Sequence, residues 1–308
     1  LILIIKLIIP GMKKYFIPLI SLVLLATACK NETGQNQSME TPATEPVAPV
    51  KELHTELYGN YVGMFEDADE ENRVEYIEPA KINISISQIT EKGVSARSIV
   101  KGNDRPMSGT LSVNGDEYRF EMEEPGNDPH DGKFTFVIKG DSLVGTWACY
   151  DQMVKSPNKT FVLKKQPFVY TPNHMLPEDW EYVDWESAKR KSELYTHEDG
   201  KVDTMVNEYY RTASESVYTL NASKNKLKES DLKNLKKLDL EIIRNTIFAR
   251  HGYSFKKKSV RQFFDQVDWY VPMNSNVDGE LTQLEKDNIV LLQKFEKYAE
   301  DNYDTFGR

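Results

Sequence analysis

The sequence predicts an α+β protein, an antiparallel β-barrel or half-barrel of about eight strands followed by a small all-α C-terminal domain. Three observations carry this. Apolar and polar residues alternate between positions 57 and 170, as in Ile82, Ile84, Ile86 and in Phe134, Phe136, Ile138. The pairs Asn114-Gly115 and Gly140-Asp141 punctuate the alternation where tight hairpin turns need residues tolerant of positive φ. Beyond about residue 230 the apolar spacing becomes that of an amphipathic helix.

Taken in chain order, Lys13 and Lys14 precede an apolar run from Tyr15 to about Ala26, broken by Pro18 and Ser21. About a dozen apolar residues is the length of a signal-peptide core, and a membrane span needs roughly 20. Ala26, Thr27 and Ala28 then lead to Cys29. This arrangement resembles bacterial lipoprotein precursors, which implies cleavage before Cys29 and a thioether-linked diacylglycerol on its sulfur. The leucine usual three residues before that cysteine is Ala26 here. Ordinary signal peptidase would cut the same bond and add no lipid. Residues 1–11 are apolar but interrupted by Lys6 and Pro10, so Met12 is the better start. The signal segment is therefore 1–28, its first eleven residues being either upstream of the true start or a second hydrophobic segment. Residues 29–52 read as the lipid site and a solvated tether rich in Asn, Glu, Gln, Ser, Thr, Pro and Ala. As a flexible chain such a tether spans roughly 25 Å.

Net charge is -9, and the first 28 residues hold three lysines and no acid, so the remainder carries about -12. An acidic chain argues against general nucleic-acid binding. Its two cysteines, Cys29 and Cys149, leave no internal disulfide framework once Cys29 is modified. Cys149 lies in an apolar run and reads as a core residue.

The β-rich domain, 53–170, holds expected strands at 59–65, 81–89, 95–101, 107–113, 117–123, 133–139, 142–150 and 160–165. Short turns between them suggest a meander, and closure would remove its exposed edges. On strand count and on Gly59-Asn60-Tyr61 and Gly145-Thr146-Trp147, the region looks like a lipocalin-type or half-barrel envelope domain. Its interior would be filled by its own side chains or would hold a small apolar ligand. Two acidic loops, 66–71 and 123–132, read as solvated turns or as oxygen-rich cation sites without the EF-hand spacing.

Residues 171–229 read as a helical connecting segment, with helical spacing over 184–195 and 203–211, separated by Gly200. Trp180 and Trp185 are expected to pack one domain against the next. In the helical domain, 230–308, Asp239 caps a helix lined by Leu240, Ile243 and Ile247, and Gly252 ends it. A short helix over 259–264 follows, and Thr282 with Glu285 forms a capping box for the last.

This C-terminal stretch resembles the YARHG domain. The motif reads Phe248-Ala249-Arg250-His251-Gly252, with Phe in place of the usual Tyr. Arg244-Asn245, Tyr253, Phe255, Trp269-Tyr270, Pro272, Glu285 and Asn288-Ile289 surround it. The resemblance implies an extracytoplasmic protein and no established activity. Arg244, Arg250 and His251 are the candidate binding residues, a cationic cluster suited to a carboxylate or phosphate. Their structural alternative is pairing with Glu285, Asp287 or helix carbonyls. Charge is also polarised. Residues 224–261 hold nine Lys and three Arg against four acids, and 262–308 hold four basic against ten acidic residues.

No metal-ligand spacing, glycine-rich phosphate loop or nucleophile elbow is present in the sequence, so no catalytic residue, cofactor or metal is assigned. The reading is an exported lipoprotein of the cell envelope, anchored through lipid on Cys29, with a non-enzymatic binding role toward an envelope polymer or protein. The alternatives are a barrel-based carrier or inhibitor and a cell-wall enzyme using Arg250 and His251.

Overall fold

A computed structural model describes residues 50–69, 71 and 76–300. Cys29, the signal segment and the tether up to residue 49 lie outside the described residues. Eight strands form the expected meander: β1 (Gly59–Asp67), β2 (Ala80–Thr90), β3 (Gly93–Val100), β4 (Asn103–Asn114), β5 (Glu117–Glu123), β6 (Gly132–Lys139), β7 (Ser142–Cys149) and β8 (Asn158–Lys165). Each pairs antiparallel with the next, and β1 pairs with β8, closing the barrel. The expected tight turns are present, with Gly115 and Gly140 both at φ +59°. Residues 50–53 already rest on this barrel, through a Glu52–Thr90 bridge and the bond from Leu53 N to the Ile89 carbonyl at 2.8 Å.

The barrel is filled by its own side chains. Ile82, Ile84 and Ile86 of β2 face inward with Phe134, Phe136 and Ile138 of β6, all buried. Phe65 meets Phe134, Trp147 and Phe161 at ring-centroid distances of 6.3, 5.6 and 5.9 Å, and Phe120 stacks on Phe136 at 4.9 Å. Eight strands enclose a space just wide enough for side chains of this size to fill. Cys149 is buried, and desolvation raises its thiol pKa. The acidic loop after β5 is a self-satisfied turn. Asp131 accepts from Arg105 and from the backbone of Gly126 and Asp128, and buried Glu124 accepts from Ser98, Gly132 and Trp147.

Two strands replace the expected helices of the connecting segment. β9 (Val183–Thr196) and β10 (Val202–Thr212) form a separate antiparallel hairpin, turned around Gly200 at φ +80°. The helical spacing was misleading for a physical reason. Val202, Thr204, Val206, Tyr209 and Tyr210 are β-branched or aromatic, side chains that lose rotamer freedom in a helix and fit a pleated strand. Nor does either segment bury an apolar stripe that would hold a helix against the body. Trp180 and Trp185 are exposed rather than wedged between domains, and Leu176, Tyr182 and Val183 are the buried residues there.

The helical region comprises α1 (Ser216–Thr219), α2 (Glu229–Leu232), α3 (Lys237–Arg250), α4 (Lys258–Phe264) and α5 (Gln283–Glu296). It packs against the outside of β2 and β3. There β2 breaks the alternation: Lys81 and Asn83 point outward yet are buried. Lys81 Nζ donates to the carbonyls of Val267 at 2.6 Å and Tyr270 at 3.2 Å, and burial lowers its pKa to about 8. Asn83 Nδ2 donates to Pro272 O at 2.9 Å, Arg97 to Met273 O at 3.2 Å, and Gly102 N to Ser254 Oγ at 2.9 Å. The barrel thus supplies donors to loop carbonyls of the helical region that would otherwise be buried without partners. Asn83→Ala removes one of these donors. It should cost about 1–3 kcal/mol, read as a lower denaturation midpoint, while Ser87→Ala on an exposed stretch of the same strand leaves the midpoint unchanged.

Candidate functional site

The site is built from the two ends of α3. Its first turn is fixed by Asp239, which accepts from Lys236 N at 3.0 Å and from Ser214 N and Oγ at 2.7 and 2.8 Å. Leu240, Ile243 and Ile247 are buried along one face as the spacing predicts. The helix ends at Gly252, φ +70°. A Cβ there would lie 2.9 Å from the Met273 side chain and 3.0 Å from Phe168, so both backbone conformation and close approach demand glycine.

Arg250 and His251, just before that turn, are buried to 2% and 3% exposure and point to different partners. Arg250 clamps the strap that runs from β8 to β9 across the helical region. Its Nε donates to His174 O at 2.8 Å and its NH1 to Ser223 Oγ at 3.0 Å. Two neighbours hold the same strap: Trp269 Nε1 donates to Met175 O at 2.8 Å, and Asn221 Nδ2 to Pro172 O at 2.8 Å. The His174 and Trp269 rings stack at 5.0 Å. Burial lowers the Arg250 pKa to about 10, still well above neutrality.

His251 reaches α5. Its Nε2 lies 2.9 Å from Glu285 Oε2. An ionised carboxylate only accepts, so Nε2 carries the proton. Tyr170 stacks on the His251 ring at 4.2 Å and donates its hydroxyl to Glu285 Oε1 at 3.1 Å. Thr282 N donates to Glu285 Oε2 at 2.9 Å and Glu285 N to Thr282 Oγ1 at 3.2 Å, the reciprocal pair of the expected capping box, and Thr282 Oγ1 also donates to Glu285 Oε2 at 3.0 Å. Burial by itself would raise the Glu285 pKa. The hydrogen bonds from His251, Ser223 and Thr282 outweigh it and hold the carboxyl at about 2. Burial and then the Glu285 charge push Tyr170 up to about 12.

Arg244 shares the α5-facing side of α3 with His251, as the spacing implies, but grips the other end of α5. Its Nε donates to Glu296 Oε1 at 2.5 Å and its NH2 to Glu296 Oε2 at 3.2 Å. The three candidate residues therefore have separate partners. Asp287, one expected partner, accepts from Gln283 instead. Only Arg244 borders open space. It lines a surface groove of about 540 Å³ with Asn245, Phe248, Tyr253, Lys256 and Lys257, closed on the far side by 275–278, including Asp278. The Phe248 and Tyr253 rings lie 6.0 Å apart. Lys256 and Lys257 are exposed.

The glycine-ended α3 turn, with its buried arginine and histidine, lies within a stretch that a family model matches. Residues 215–297 match the YARHG domain. The match spans α1 to α5, beginning earlier than the boundary at 230 expected from spacing. No curated protein and no solved structure matches the chain. Within the YARHG stretch, the position usually held by Tyr is Phe248, on the groove wall, so the hydroxyl missing here is missing from the groove. Glu296, Tyr170 and the strap carbonyls were not evident from sequence. Nothing local marks a residue that acts through its backbone oxygen.

The Glu285 carboxyl has a folded pKa below its ordinary 4.5. Its contribution is therefore complete above about pH 4.5 and lost as pH falls toward 2, amounting to roughly 3 kcal/mol. Melting curves of the chain and of Glu285→Gln should show a gap at pH 7 that closes across this window.

Proposed function

We propose that this chain is an envelope lipoprotein, anchored through Cys29, whose YARHG domain presents the Arg244–Lys257 groove to an anionic envelope polymer. The observation that carries the reading is the division of labour at the motif. Arg250 and His251 are consumed in buried bonds, and the same turn exposes two lysines, an arginine edge and two rings along one groove. Arg244 uses three of its donors on Glu296 and Asn245 and retains others for a ligand. Lysines supply charge to phosphate or carboxylate groups, and ring faces suit the apolar faces of sugars. The YARHG match supports an envelope location. Among the described residues no helix is long and apolar enough to cross a membrane.

The rival readings find less support. An enzyme working through Arg250 and His251 needs them open to substrate, and both are buried and bonded within the protein. A barrel carrier needs space that the Phe65, Phe120, Phe134, Phe136, Trp147 and Phe161 side chains take up.

Co-sedimentation with isolated sacculi that retain their anionic polymers tests the binding role. Lys256→Glu with Lys257→Glu should weaken retention several-fold, and salt should weaken the unaltered chain. Equal loss on reversing Lys189 and Lys191, which lie far along the hairpin, would contradict a groove-specific site. Anchoring is tested separately: Cys29→Ser should release the chain from membranes and abolish incorporation of radiolabelled palmitate, and retention with the label would contradict it.

A further inference from the structure

The β9–β10 hairpin is an arm built to stand away from the body. Its base is fixed. Buried Asp184 accepts from Arg211 NH2 at 2.6 Å and from Gln262 Nε2 at 2.9 Å, and Arg211 also reaches Glu241. Burial would raise the Asp184 pKa, but these hydrogen bonds lower it. Beyond the base the two strands run on for eight pairs, from Tyr209–Lys189 to Val202–Thr196, with nearly every side chain exposed. Eight residues of strand extend about 25 Å. A lone two-stranded ribbon is marginal in water, so an arm of this length calls for a covering partner.

Cross-strand partners share a face. One face carries the pairs Ser192–Val206, Leu194–Thr204 and Thr196–Val202. Leu194, Val206 and Val202 are 76%, 58% and 56% exposed. These three successive pairs contain no charge, and the next pair toward the base, Arg190–Glu208, neutralises itself at 2.8 Å. The opposite, polar face holds four charged residues, Lys189, Lys191, Glu193 and Asp203, beside exposed Tyr195, Met205 and Tyr209; there Glu193 accepts from Asn207 and Tyr209, and Lys191 lies over the Tyr209 ring.

We propose that the neutral face of the arm packs against the same face of a second copy, giving a two-fold, four-stranded β-sandwich. Charge chooses this occupant. A polyanion or an anionic lipid surface would need free cations beside the apolar stripe, and the one cation there is already paired with Glu208. A charged protein surface would meet no opposite charge. A neutral stripe of Leu, Val, Thr and Ser is complementary to itself, and a two-fold axis lays each stripe on the other. Such a contact buries on the order of 1,000 Å², the lower end of specific interfaces, so the dimer should be concentration-dependent.

Sheets packed face to face lie about 10 Å apart, which a short bismaleimide spans. In the full chain carrying Cys29→Ser, Thr204→Cys on the neutral face should cross-link to a dimer several-fold more than Asn207→Cys on the polar face. Adding Val206→Asp should abolish that cross-link and lower the weight-average mass in sedimentation, and Val162→Asp on the barrel should change neither. Far-ultraviolet circular dichroism and melting curves matching the parent would show that Val206→Asp still folds. Equal cross-linking at both positions, insensitivity to Val206→Asp, or a chain that stays monomeric at its highest soluble concentration would overturn the proposal.

Discussion

A carboxylate with no solvent exposure survives only if donors surround it, and around Glu285 those donors include, besides Ser223, residues from three further stretches of chain. Tyr170 belongs to the strap from the barrel, His251 to the end of α3, and Thr282 to the start of α5. Removing any one leaves a buried charge short of a partner, which is far costlier than the net worth of the bond itself. The same requirement fixes where α3 and α5 cross. Glu296 pairs with Arg244 near the far end of α5, so the two helices are pinned at both ends by a donor on α3 and a carboxylate on α5.

This arrangement gives the arginine and histidine of the motif partners inside the fold. Arg250 holds the strap through backbone oxygen, and His251 holds α5 through Glu285. Between them the chain turns at Gly252 and brings Tyr253, Lys256 and Lys257 alongside Arg244, Asn245 and Phe248. The buried residues set the turn, and the turn makes the groove. The barrel contributes in the same manner. Lys81, Asn83 and Arg97 bind carbonyls of the 267–273 loop, so the strand that fills the barrel with isoleucine on one face orders the helical region with polar groups on the other.

Much of this was readable in the sequence where one physical preference acted alone. The eight barrel strands followed from alternation and turn chemistry, and the last helix from its Thr282–Glu285 box. The reading failed at β9 and β10, where both periods fit a polar segment and no core face existed to decide between them. It was incomplete at the motif. Spacing placed Arg244 and His251 on one face of α3, but not that they grip opposite ends of α5, because Glu296, the partner of Arg244, is distant in sequence and no local pattern marks it. Lys81 and Asn83 resembled solvent-facing positions of a barrel strand, since alternation cannot show that a second layer covers the outside.

The central claim is that His251 and Glu285 form a coupled structural pair. A double-mutant cycle with His251→Gln and Glu285→Gln, followed by denaturant unfolding at pH 7, tests it most directly. Removal of both should cost less than the sum of the single losses, with a coupling of about 2 kcal/mol or more. Losses that add to within about 0.5 kcal/mol would mean that the two groups do not depend on each other, and the account of the motif would be wrong.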